Sequence, residues 1–240
     1  MSLQVITDEV RFSIRSYAGD KPLLSETANN HQKAVFPPFT PIICPITNFD
    51  FGDARNRMAS AISSGIPSRF AGMITIRLLA ASDAERFKSL RLLAVESSPT
   101  SIWPTRKEEM ARSIEQTTDR IQATPTQAVF GAFDGEVLAG ITGIRREPLQ
   151  KVTHKATIWG VFVKPSYRGR GIAQALLAAA TAHATEKWSS VQLMLCVNAE
   201  NIAAKSLYVS EGFQTFGLEP CAMQVNGRFY DEEHMCKPLL

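Results

Sequence analysis

Cysteine is scarce in this 240-residue chain, and the four present, Cys44, Cys196, Cys221 and Cys236, show neither a Cys-x-x-Cys pair nor the spacing of a metal site. That speaks against a disulfide scaffold and a zinc module. Reduced, mostly packing cysteines in a cytoplasmic protein without a bound metal are expected instead. Long apolar runs are missing too. The most apolar early stretch, Val35 to Ile46, is broken by Pro37, Pro38, Pro41 and Pro45 and is too short to cross a bilayer, so no membrane partner is expected. The first residues also lack the basic-then-apolar layout of a secretory signal. Charge of one sign is nearly balanced: 26 Lys and Arg against 23 Asp and Glu leave a formal +3, too little to make nucleic acid the expected partner. No internal repeat is present. What remains, 45% hydrophobic and 20% charged residues, is the composition of a soluble globular protein that can bury a sizeable core.

The chain changes character near Met73. Residues 1–72 carry clustered prolines, recurrent Ser and Asn, and no sustained period beyond a short strand candidate at Glu9 to Ile14. A poorly ordered extension, dispensable for folding, is expected there, with an independent folded module as the alternative. A single domain is expected over residues 73–240. In it Ile74, Ile76 and Leu78 alternate with Thr75 and Arg77, which predicts a half-buried strand. Ser82-Asp83-Ala84-Glu85 has the spacing of a capping box and predicts a helix with Phe87, Leu90, Leu93 and Ala94 on its apolar face, stopped by Ser97-Ser98-Pro99. Thr105 to Ile121, entered after Pro104, reads as one further helical stretch with Met110, Ile114 and Ile121 inward.

Gln127 to Phe133 and Val137 to Arg145 flank Asp134-Gly135, a hairpin signal, and Lys155 to Val163 returns as a strand. Ile172 to Thr185 holds no Gly or Pro and is rich in Ala and Leu, so a long helix follows, closed by Trp188. Val191, Leu193, Leu195 and Val197 predict a central strand, Asn201 to Phe213 a short helix with its stop, and Ala222 to Val225 with Phe229 to Cys236 a hairpin around Asn226-Gly227. The order is strand, two helices, three strands, helix, strand, helix, two strands. This is an α/β fold in the α+β sense, with a mixed sheet of about seven strands flanked by helices.

Between strand and long helix lies Arg168-Gly169-Arg170-Gly171-Ile172-Ala173. A helix start offers unpaired N–H groups and the positive end of the macrodipole, and glycines let the backbone approach an anion, so this turn is suited to phosphate. It has neither the Gly-Lys-Ser/Thr of a Walker loop nor the three-glycine dinucleotide spacing. Its Arg-x-x-Gly-x-Ala pattern resembles the acetyl-CoA pyrophosphate loop of the GNAT superfamily of N-acetyltransferases. Downstream, Asn201-Ile202-Ala203-Ala204-Lys205-Ser206-Leu207-Tyr208-Val209-Ser210-Glu211-Gly212-Phe213 resembles the same family's Asn-x-x-Ala-x-x-Leu-Tyr-x-x-x-Gly-Phe at every named position.

The resemblance implies a direct transfer of an acetyl group from acetyl-CoA, as cosubstrate, to a primary amine of a small molecule, protein or peptide. It places Val161, Phe162 and Val163 along the pantetheine arm, with Gly160 allowing a bulge. Arg168, Gly169, Arg170, Gly171, Ile172 and Ala173 fall on the pyrophosphate, and Asn201 and Lys205 near the cofactor. Tyr208 is the acid that protonates the departing thiolate. No base is evident: Trp159 stands where a carboxylate would serve, and Glu96, Glu108, Glu109 and His154 are candidates whose expected place is the surface. His183 is expected to be a packing or a surface histidine. A non-catalytic acyl-CoA-binding module is the alternative function, and the assembly is left open between monomer and homodimer.

Overall fold

The computed structural model describes residues 74–239; the expectations for residues 1–72, Cys44 included, lie outside them. Twelve elements follow one another there. They are β1 Ile74–Leu78, α1 Ala84–Ser97, α2 Arg106–Ala111, α3 Ile114–Ile121, β2 Gln127–Asp134, β3 Val137–Arg146, β4 Lys155–Val163, α4 Ile172–Trp188, β5 Gln192–Asn198, α5 Ile202–Ser210, β6 Gln214–Val225 and β7 Arg228–Pro238. The strands make one sheet in the order β1-β2-β3-β4-β5-β7-β6, with β4–β5 its parallel pair and the rest antiparallel.

Side chains of β2 point alternately to two cores, so the strand is apolar throughout. Ala128, Phe130 and Ala132 meet Leu176, Leu177 and Ala180 of α4 on one face. Val129 and Phe133 meet Phe87, Leu90 and Ala94 of α1 on the other. The buried apolar residues of α4 run Ile172, Leu176, Leu177, Ala180, Ala184 and Trp188, one helical stripe that follows from the Ala/Leu spacing. Each leucine so enclosed contributes about 1.5–3 kcal/mol. His183 packs edge-on between Phe130 and Trp188, the first of the two places expected for it.

Several sequence expectations need correction. The stretch from Thr105 to Ile121 is two helices, because Ser113 accepts from the Gln116 amide at 3.1 Å while its own amide donates to Gln116 Oε1 at 3.0 Å, restarting the helix with a new cap. Rotation at that break turns Met110 and Ile114 outward, and only Ile121 is buried. The carboxylate that closes the turn before α1 is Asp83, accepting from Ala80 N at 2.9 Å, and not Glu85. Cys196 and Cys221 are exposed rather than packing, and with Cys236 they form no disulfide among the described residues. In addition, β6 begins at Gln214 rather than at Ala222, with its register interrupted between Glu219 and Met223. The hairpin turn itself has positive φ at both Asn226 (50°) and Gly227 (81°), as a type I′ turn requires.

One packing contact gives a direct test. A Cβ at Gly143 would lie 2.2 Å from Cε2 of the Trp159 indole, so the glycine is what admits the ring against β3. Gly143→Ala is expected to cost about 1–3 kcal/mol through overpacking, read as a lower midpoint in urea unfolding; an unchanged midpoint would show that the indole moves freely.

Candidate active site

The site begins where two parallel strands stop pairing. β4 and β5 share only Lys155–Gln192, Ala156–Leu193 and Thr157–Met194, and from Ile158 onward β4 has no partner on that side. A bulge directs the divergence. Gly143 pairs with Trp159 and Ile141 with Phe162, so Gly160 and Val161 together face the single residue Thr142. Gly160 takes φ +63°, a conformation that a side chain would strain.

At the open end of β4 the chain turns through Pro165–Tyr167 and enters α4. Gly169 (φ 72°) and Gly171 (φ 73°) are both left-handed, and Gly171 is the N-cap of the helix. No capping side chain takes the first amides of α4. The residues that carry them, Gly171 to Gln174, line a cleft of about 500 Å³. Arg168 is held over it, its Nε donating to Val163 O at 3.1 Å and its guanidinium 5.7 Å from the Phe162 ring.

The cleft gathers most of the expected residues. Val161, Phe162 and Val163 form one wall, Arg168, Gly169, Gly171, Ile172 and Ala173 the helix-start end, and Asn201 and Tyr208 of the α5 block the opposite wall. Arg170 and Lys205 do not line it. Arg170 donates to Ser166 O at 3.3 Å and lies 5.0 Å from the Tyr167 ring. Lys205 forms an ion pair with Glu233 and donates to Ala199 O. Asn201 caps α5, its Oδ1 accepting from Ala204 N at 3.1 Å, while its Nδ2 donates to Ser101 Oγ at 3.1 Å. Ser98, Ser101 and Ile102 thus enter the lining from the loop after α1, where the sequence carries no motif.

Tyr208 is 8% exposed, with its ring 6.0 Å from Phe213, and no described protein group bonds its hydroxyl. Burial pushes the phenol up to about 12, so it carries its proton at neutral pH.

None of the four acidic or basic candidates for a base lines the cleft. Glu96 pairs with Arg106 at the surface, and Glu108 accepts from the Thr105 amide at 2.7 Å as a helix cap. His154 lends its carbonyl to Val191 N. Glu109 was expected at the surface but is 2% exposed, gripped by Arg91 Nε (2.9 Å), Arg91 Nη2 (2.6 Å) and Arg120 Nη1 (3.1 Å). Burial pushes its carboxyl up, but Arg91 and Arg120 outweigh that and hold it below the ordinary range. A carboxylate so engaged is a poor proton acceptor.

A parted strand pair facing a glycine-led helix start is the framework of an acyltransferase that works on a coenzyme A thioester. Within that class, the profile described as the Acetyltransferase (GNAT) family matches residues 90–213. The chain belongs to the GNAT family of acetyltransferases. It is 31% identical over 159 residues to the N-alpha-acetyltransferase RimI of Mycobacterium tuberculosis, spanning 64% of this chain and 87% of RimI. Two solved structures share the fold. The GNAT-family acetyltransferase from Streptococcus pneumoniae superposes with a TM-score of 0.62 at 23% identity, over 70% of this chain and all of that one. The protein yncA of Salmonella typhimurium, solved with its cofactor acetyl-CoA, gives 0.61 at 20% identity, over 70% of this chain and 95% of that one. The seven-stranded mixed sheet is therefore the expected one.

Proposed function

We propose that the cleft holds acetyl-CoA and that the protein transfers its acetyl group directly to a primary amine of a small molecule, protein or peptide. The observation that carries this reading is the free edge of β4 beside the uncapped amides of α4. The pantetheine arm adds to the edge at Val161–Val163 as an extra strand would, and the pyrophosphate sits on the amides of residues 169–173 with Arg168 above it. Asn201 meets the arm from the other wall. A backbone amide near Val161 takes the developing oxyanion as the amine attacks the thioester carbon. The similarity to an N-alpha-acetyltransferase supports a primary amine as acceptor. Because no acidic or basic candidate from the sequence lines the cleft, a module that binds acyl-CoA without turnover is the second reading.

Tyr208 is the group that meets the departing sulfur. A thiolate of ordinary pKa, about 8.5, is a much weaker base than the anion of a phenol held near 12, so outright proton transfer is uphill. Its contribution is that of a hydrogen bond to a charged group, about 1.5–3 kcal/mol. Tyr208→Phe is therefore expected to lower kcat about 10- to 150-fold while leaving acetyl-CoA binding intact, since the ring stays. Thiol release at saturating acetyl-CoA measures it, and an unchanged rate would remove Tyr208 from the reaction.

A further inference from the structure

The sheet face opposite α4 and α5 carries a polar row that the acetyl-CoA cleft does not use. Asn198 of β5 pairs with Glu232 of β7, which pairs with Glu219 of β6. Two carboxylates directly across a strand pair repel each other, an arrangement that sheets ordinarily avoid. Their neighbours are then unequal. Glu219 Oε2 lies 2.9 Å from His234 Nε2, and His234 Nδ1 lies 3.4 Å from Cys196 Sγ. Although Cys196 is exposed as a residue, partial desolvation of its thiol, with Glu232 and Glu219 adding to it, pushes the thiol up, so the sulfur keeps its proton and brings no further negative charge. Glu233, next along β7, is paired by Lys205 of α5. Glu232 is 4% exposed and has no ion pair among the described residues.

Only one of its oxygens is served. Oε1 accepts from the Trp103 indole at 2.9 Å, while Oε2 is buried with no partner. A neutral donor on one oxygen leaves a buried negative charge uncompensated, which is costly unless a cation arrives. Asn198 does not supply the missing bond, since its Nδ2 donates to Thr100 O at 2.8 Å and its Oδ1 accepts from Glu200 N at 2.8 Å.

The position is tied to the cleft. Thr100, Ser101, Ile102 and Trp103 are consecutive, and they touch in turn Asn198, the cleft wall at Asn201, the cleft itself and Glu232. Asn198 is the last residue of β5, beyond the point where β4 has separated. Trp103, 68% exposed and bonded to Glu232 through its indole nitrogen, covers the carboxylate from outside.

We propose that Glu232 receives the acceptor's amine: an incoming ammonium replaces the Trp103 indole on the carboxylate, and Glu232 takes one of its protons before attack. This rests on the acetyltransferase reading for the transfer step. There the amine nitrogen bonds to the thioester carbon, the carbon–sulfur bond breaks with its pair on sulfur, and the nitrogen's second proton neutralises the thiolate. Glu232 then returns its proton to solvent, which balances an ammonium and a thioester against an amide, a thiol and one proton.

The test uses alanine amide as the amine probe, tetramethylammonium as a cation without N–H, and the full chain. Alanine amide is expected to raise the melting temperature and tetramethylammonium to leave it unmoved. Glu232→Gln should abolish the alanine amide shift, keep the acetyl-CoA shift, and melt no lower than the wild type, because it removes an uncompensated buried charge. Trp103→Phe, which removes the competing N–H, should retain or enlarge the amine shift. In turnover, Glu232→Gln should lower kcat/KM for the amine about a hundredfold or more, with the deficit shrinking as pH rises towards the pKa of the free amine. A purely structural residue would show the same deficit at every pH. Equal shifts in wild type and Glu232→Gln, equal shifts from both cations, or no shift from alanine amide would each overturn the proposal. If acetyl-CoA fails to shift the wild type while the Glu232-dependent amine shift persists, the acetyltransferase reading falls and the amine site stands.

Discussion

Glu109→Ala is expected to destabilise the protein by about 3–5 kcal/mol, because it leaves the guanidinium of Arg91, 1% exposed, buried without its counter-ion. The loss exceeds that of a surface pair by several-fold. Glu109 serves three arginines at once, with Arg112 Nε 3.8 Å away in addition to Arg91 and Arg120. Removing both partners should cost less than the sum of the single losses, so an Arg91→Leu/Glu109→Leu cycle is expected to show strong coupling in urea unfolding. The pH dependence follows from the same contacts. Glu109, despite its burial, and Asp83, bonded by Arg77, both have carboxyls held below their ordinary range in the folded chain. A depressed folded pKa gives stability that is present above the unfolded carboxylate pKa of about 4 and is lost as pH falls through the folded value. The melting temperature should therefore fall steeply below about pH 4, and Glu109→Gln, already lower at neutral pH, should show a shallower fall. Equal acid slopes in the two proteins would contradict this account of the cluster.

Gly171→Glu has the largest expected effect on the site. Gly171 caps α4 at φ 73°, where any side chain is strained, and a carboxylate there would repel a diphosphate bound at this helix start as proposed. Acetyl-CoA at about a hundred times its dissociation constant should stabilise the wild type by about 2.7 kcal/mol; the variant should show no shift while remaining folded. A retained shift would move the pyrophosphate away from the start of α4.

What could be read from the sequence was local. The β4 strand, its glycine turn and α4 follow one another within about 35 residues, and the Asn201 to Phe213 block is a single helix with its cap and stop. Strand alternation, glycine positions and helix propensity determine such units without distant help. The loop after α1 is different in kind. It depends on Ser101 meeting Asn201 at a separation of 100 residues, Thr100 meeting Asn198 at 98, and Trp103 meeting Glu232 at 129. No spacing rule links those positions, and Glu232 lies in a polar run, Asp231-Glu232-Glu233-His234, that reads as a solvated edge. The inward turn of Glu109 was hidden for a related reason. The break between α2 and α3 is present as Ser113-x-x-Gln116, but the helical period continues through it, and an unbroken helix puts Met110 inside instead.

The central claim is that this cleft turns acetyl-CoA into an acetylated amine. Incubating the full chain with acetyl-CoA and a panel of primary amines, and measuring both free thiol and acetyl amide by mass spectrometry, tests it most directly. The expected result is equal amounts of thiol and amide, many per protein molecule, with at least one amine. Acetyl-CoA that binds and stabilises the chain, yet yields no amide with any amine across the panel, would contradict it and leave a module that binds acyl-CoA without turnover.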